Sequence, residues 1–254
     1  MRNWLLGILA ALALGCGPAW AAPPADDDIW QYVESRSLQD NIPYTVDVSI
    51  SALIPALGKQ GQFHAVKHQF DGSRSQYEQM EFEGDGLVKT KVIARYLAAE
   101  LEAQRPEEKL ATQITPANYE FKLKGRVREA GRELLLFQVK PRKKRPGLFQ
   151  GQIWIDSLTR QPVREAGKLA KLPSLWVKEI NFTRDYIVTN GLAVVSRIAS
   201  EVRTRIVGKA QITVAFDKYR FEVVPEPALT SLGLLPDAPI RSNSLTELCS
   251  SPLP

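Results

Sequence analysis

Tyr119-Glu120-Phe121-Lys122-Leu123-Lys124 alternates strictly between apolar and charged residues, and Ala130-Gly131 then turns the chain into Leu135, Phe137 and Val139. A period of two is the signature of a strand with one buried face. The same grammar repeats downstream. Phe149 to Asp156 and Pro162 to Lys168 read as further strands, and Trp176, Ile180 and Phe182 share a face. Asn190-Gly191 is a strong hairpin signal, because both residues tolerate positive φ. It leads into Ile198, Val202 and Ile206, and Val207-Gly208-Lys209-Ala210 turns the chain again. In the last strand Ile212, Val214 and Phe216 alternate, and the phase slips by one before Tyr219, Phe221 and Val223. A one-residue slip predicts a bulge at Asp217-Lys218.

Upstream, Tyr44 to Ile50 alternates, and Gln62 to Phe70 and Gln76 to Glu83 flank the turn signal Asp71-Gly72. Two segments break the two-residue period. Asp26-Asp27-Asp28 before Ile29, Trp30 and Val33 marks a helix N-terminus, with acids opposing the positive end of the dipole, and this short helix ends before Pro43. Val88, Val92 and Tyr96 lie four apart, with Ile93, Leu97 and Leu101 on the adjoining edge. They predict an amphipathic helix from Leu87 to Gln104, halted by Pro106. Short connections imply antiparallel neighbours in meander order. Roughly nine or ten such strands must curl or close. The expected fold is therefore mainly β with a few helices (α+β): an antiparallel sheet that curls or closes, with helices on its concave side.

The first residues read as an export signal. Arg2 is the positive n-region, and Trp4 to Leu14 is an apolar stretch shorter than the roughly 20 residues of a membrane span. Two readings of its end stand. Ala19-Trp20-Ala21 is a small-x-small cleavage site, giving a soluble chain from Ala22. Ala13-Leu14-Gly15-Cys16 is an imperfect lipobox, giving a lipid anchor on Cys16. The chain then divides into residues 1–21 (signal), 22–224 (β domain) and 225–254, a Pro-rich tail expected to be weakly ordered. Cys249 would be left without an intrachain partner. Loss of Arg2 leaves 32 basic and 28 acidic residues, a charge of +4. That balance suits an anionic membrane surface or an acidic partner and argues against nucleic acid.

No catalytic motif is present: no nucleophile elbow, no phosphate-binding Gly-rich loop, no Cys with a His partner. Asp156, Asp185 and Glu201 are not brought together by spacing. On a strand His64 and His68 share a face about 13 Å apart, too far for one metal. The reading is of a non-enzyme without cofactor or metal. Arg142-Lys143-Lys144-Arg145 is the densest charge run, either a solvated hairpin loop or a contact for lipid phosphates or an acidic protein.

Phe149-Gln150-Gly151-Gln152-Ile153-Trp154-Ile155-Asp156, Pro162-Val163-Arg164, Leu172-Pro173-Ser174-Leu175-Trp176, Phe182, Tyr186 and Val207-Gly208-Lys209-Ala210 together resemble a bacterial group of outer-membrane lipoprotein-sorting-like proteins. That group is similar in fold to the superfamily of the periplasmic lipoprotein carriers LolA and LolB and the stress sensor RseB. The resemblance covers about 100 of the 254 residues. It implies an unclosed antiparallel barrel, a helical lid and an apolar cavity for acyl chains, with no catalytic residues to transfer. The expected cavity residues are Phe121, Phe137, Phe149, Trp154, Trp176 and Phe182, and the lid residues Val88, Val92 and Tyr96. The implied function is a periplasmic binder or carrier of acyl chains or lipoproteins. The alternative is an envelope protein-interaction or stress-sensing module. Peripheral membrane contact fits either.

Overall fold

The computed structural model describes residues 25–39, 41–206 and 208–222. The signal segment, Cys16, Val207, Val223 and the 225–254 tail lie outside the described residues. Helix α1 (Ala25–Gln39) precedes three strands: β1 (Tyr44–Ile54), β2 (Lys59–Asp71) and β3 (Arg74–Gly84). A helical segment follows, with α2 (86–103) and α3 (Pro106–Thr112). Then come β4 (Tyr119–Glu129), β5 (Arg132–Pro141), β6 (Phe149–Asp156), β7 (Pro162–Leu169), β8 (Val177–Thr189), β9 (Leu192–Thr204) and β10 (Lys209–Phe221).

All ten strands form one antiparallel sheet in the order β3-β2-β1-β10-β9-β8-β7-β6-β5-β4. The meander is thus interrupted once. β3 and β4, consecutive in the chain, lie at opposite edges, and β1 pairs with β10, Ile50 opposite Val214. The helical segment between β3 and β4 is long enough to run from one edge to the other, so it bridges the gap that keeps the barrel unclosed. The expected bulge is present. Thr45 faces Arg220 and Asp47 faces Asp217, with Lys218 at φ +55° between them. The bulge returns Tyr219 and Phe221 to the concave side.

Two separate apolar cores lie on the concave face. Val48, Ile50, Phe63, Ile212 and Val214 meet α2 through Val88 and Ile93. Phe137, Val139, Phe149, Ile153 and Ile155 meet α1 through Ile29 and Tyr32. The lid stripe differs in detail from a plain four-residue repeat. A π turn (Lys89–Ile93) adds one residue, so Val88 and Ile93, five apart, are the buried pair, while Val92 and Tyr96 are half-buried. Pro106 ends α2 and also opens α3, at whose first turn its missing N–H costs nothing.

β6 and β7 approach closely where Gly151 faces Gly167. A Cβ on Gly151 would stand 2.0 Å from the Ala166 carbonyl oxygen. Gly151→Ala must push the two strands apart. It should destabilise the fold by about 1–3 kcal/mol, lowering Tm by roughly 2–10 °C in thermal unfolding.

Candidate functional site

Between the two cores, the middle of the concave face, β7 to β9, is met by a helix only at the margins of those cores and through Tyr32 and Arg36 of α1. A cavity of about 600 Å³ lies there. Its apolar wall includes Phe149, Leu169, Phe182, Ile198 and Phe216, and α2 contributes Tyr96, Ala99 and Ala103. The lining is not uniformly apolar, because Arg36, Lys67, Glu100 and Arg184 also face the space.

The floor is built around Glu165, which is 1% exposed. Its strand partner is Arg184, whose Nη1 donates to Glu165 Oε2 at 2.9 Å. Tyr186 Oη donates to Oε1 at 2.6 Å, and Tyr32 Oη from α1 does so at 3.5 Å. Arg36 Nη1 donates to Tyr186 Oη at 2.6 Å and reaches Glu165 Oε1 at 3.5 Å. One buried carboxylate therefore holds two guanidinium groups and two phenols. The Arg184 Nε is buried without a hydrogen-bond partner among the described residues.

A second polar group ties the lid to the sheet. Lys67 Nζ donates to Glu100 Oε1 and Tyr77 Oη donates to Glu100 Oε2, both at 2.5 Å. Ser75 Oγ donates to Gln104 Oε1 at 2.8 Å. Burial, and then the Glu100 charge, raise the Tyr77 pKa. The C-terminal half of α2 is thus latched by polar contacts, and its N-terminal half is held by Val88 and Ile93.

The structure separates the six aromatics expected at the cavity. Phe149 and Phe182 line it, 5.0 Å apart edge to face. Phe137 is buried in the core under α1, and Phe121 packs at the margin of that core. Trp154 lies on the convex face between the inward Ile153 and Ile155, with the Arg164 guanidinium 6.0 Å from its ring. Trp176 precedes β8 and is 62% exposed, so it does not share the inner face of Ile180 and Phe182. In the basic loop, Arg142 Nε donates to the Pro116 carbonyl and Arg145 pairs with Glu108, each at 2.8 Å. These two arginines hold the loop to the segment before β4. Lys143 and Lys144 are exposed. His64 and His68 point to the same face of β2, bonded to Ser49 and Thr45. Asp185 pairs with Arg164, and Glu201 with Lys209.

Searches of family models and curated proteins yield no match for this chain. Among solved structures it is similar to a LolA superfamily protein from Nitrosomonas europaea, with 10% identity and a TM-score of 0.40 over 81% of this chain and 97% of that one. It is similar to an outer membrane lipoprotein-sorting protein domain from Vibrio parahaemolyticus, with 9% identity and a TM-score of 0.42 over 83% and 99% of the two chains. MucB gives 13% identity and a TM-score of 0.31 over 83% and 98%.

Glu165→Gln should leave the Arg184 charge without its counter-charge. Because Arg184 is one-third exposed, the loss should be about 2–3 kcal/mol rather than the full penalty of a buried orphan, read from denaturant unfolding. Alkaline pH supplies a second test. Burial pushes Tyr119 and Tyr186 up to about 12, and Tyr32 upward too. Between about pH 10 and pH 12 the unfolded chain loses these protons while the fold keeps them. Their contribution is therefore fully present below pH 10 and lost as pH rises toward 12. Tm should fall across that window, and fall less steeply in Tyr186→Phe.

Proposed function

We propose that this protein is a non-enzymatic binder or carrier of acyl-chain amphiphiles in the bacterial cell envelope. The observation that carries the reading is the cavity under the lid, apolar along Phe149, Phe182, Ile198 and Phe216 and charged at its floor. A bare hydrocarbon would leave Arg36 and Arg184 facing oil. An amphiphile puts methylenes on the aromatic wall and its polar end near Arg184, whose Nε is unpaired. Burial is worth about 0.8 kcal/mol per methylene, so a chain of about 14 carbons contributes on the order of 10 kcal/mol gross. Ordering the chain and opening the lid offset part of that. About 600 Å³ is ample for one such chain and lies within the usual range for small-molecule sites. The export signal and the fold resemblance support the periplasm as the compartment.

Native mass spectrometry with organic extraction, on protein from its own envelope fraction, tests the reading. The wild type should carry an acyl ligand. Ala99→Trp, on the α2 face that lines the cavity, should fill the space and lose the ligand while thermal stability stays within about 1 kcal/mol. A wild-type protein that also binds no fatty acid added in solution overturns the proposal.

A further inference from the structure

We infer that one end of the barrel is a docking surface for an anionic lipid bilayer. The alternating strands send four loops to this end: residues 55–58, 142–148 and 170–176, which follow β1, β5 and β7, and the turn after β9 that holds residues 205, 206 and 208. Register confirms their common side, since Leu53 faces Gln211, Val177 faces Thr204 and Phe149 faces Leu169. These loops carry four exposed large apolar side chains among the described residues. Leu175 is 89% exposed, Ile206 73%, Trp176 62% and Leu57 44%. Leu175, Trp176 and Ile206 are held together, because Arg205 donates its backbone N–H to the Trp176 carbonyl and its Nε to the Leu175 carbonyl, both at 2.9 Å.

Charge selects the partner. The four loops contain Arg142, Lys143, Lys144, Arg145, Lys171 and Arg205 and not one acid. Lys143, Lys144, Lys171 and Arg205 have no carboxylate partner among the described residues. The turns at the opposite end hold a single charge, Arg160, which turns inward onto Asp28 at 2.7 Å. Leu158 is exposed there, and the one basic residue of its turn is Arg160, already paired with Asp28. Amphipathic Trp with Leu and Ile, ringed by Lys and Arg, is the chemistry of the interface between headgroups and acyl chains. Among the described residues no helix is long and apolar enough to cross a membrane. Gly147 and Leu169, beside two of these loops, also line the cavity, so the docked end and the cavity are continuous. The inference stands apart from the proposed ligand, because it rests on the loops alone.

Vesicle flotation tests it. The probe is the exported full chain with Cys16→Ser, which removes any acyl anchor, mixed with vesicles of equal parts phosphatidylglycerol and phosphatidylcholine or of phosphatidylcholine alone. The protein should float with the anionic vesicles and should be released by high salt. Each basic residue contributes about fivefold in affinity at low salt, so Lys143→Ser with Lys144→Ser should weaken binding by roughly 25-fold. Leu175→Ser with Ile206→Ser should abolish it with unchanged thermal stability, since neither side chain is buried. Vesicles should change tryptophan emission in the parent, and this change should vanish in Trp176→Phe, which still binds. Equal binding to neutral vesicles, no binding at all, or a solution dimer that Leu175→Ser and Ile206→Ser dissolve would each overturn the inference.

Discussion

A curled sheet has more concave surface than its helices can cover, and the rest of this molecule follows from that mismatch. Ten strands at about 4.8 Å spacing make a sheet roughly 45 Å across, whereas a helix is only about 10 Å wide and shields about two strands. Here α1 serves β4 to β6, and α2 serves β10, β1 and β2. The strands between them, β7 to β9, keep an inner face that a helix meets only through Tyr32 and Arg36 of α1 and at the margins of the two cores. Such a face must be wetted, filled by a ligand or covered by something else. Its composition is suited to the first two, with Arg184 and Ser200 interspersed among Phe182 and Ile198.

The Glu165 cluster is poorly explained as a device for stability. Taking a carboxylate and a guanidinium out of water is costly, and apolar replacements of similar shape often match or exceed such pairs. What the cluster does achieve is positional. Tyr32 and Arg36 come from α1, Glu165 from β7, and Arg184 and Tyr186 from β8, so one carboxylate fixes a helix against the unroofed strands. It does so without filling the space above them. An apolar solution at the same place would have pulled the helix down and closed the cavity.

Much of this was legible in the sequence because alternation is a local signal. The strands, the hairpin at Asn190-Gly191, the bulge at Asp217-Lys218 and the long helix were all readable from neighbours within a few residues. The pairing of β1 with β10 was not, since it joins segments about 165 residues apart and leaves no local trace. Part of the site had a usable signal. Arg184 falls in the apolar phase of Ile180, Phe182 and Tyr186, and Lys67 in that of Phe63 and Ala65. A charge in the buried phase of a strand marks a polar pocket. Glu165 had none, because Pro162 to Leu169 contains no clean alternation to set a phase. Trp176 was misplaced for the converse reason: the phase of β8 was extended past the point where the strand begins.

The two ends of the lid are held by different physics. At the N-terminal end Val88 and Ile93 are dry, and separating them from Val48 and Phe63 would expose apolar surface with nothing gained in return. At the C-terminal end the bonds among Lys67, Glu100 and Tyr77, and between Ser75 and Gln104, are ones for which water can substitute. An ion pair that opens into solvent recovers hydration for both charges, so its net cost is far below the strength of the contact itself. The latch end is therefore the weaker end of the lid. The strong end sits with the apolar and basic loops, because Gly61 and Ala52, beside Val88, lie at the same extremity of the sheet as Leu57 and Ile206. Any outward movement of α2 thus pivots at the end that bears those loops and swings at the end where Glu100 meets Lys67. The molecule's surface chemistry and its mechanical asymmetry follow the same axis.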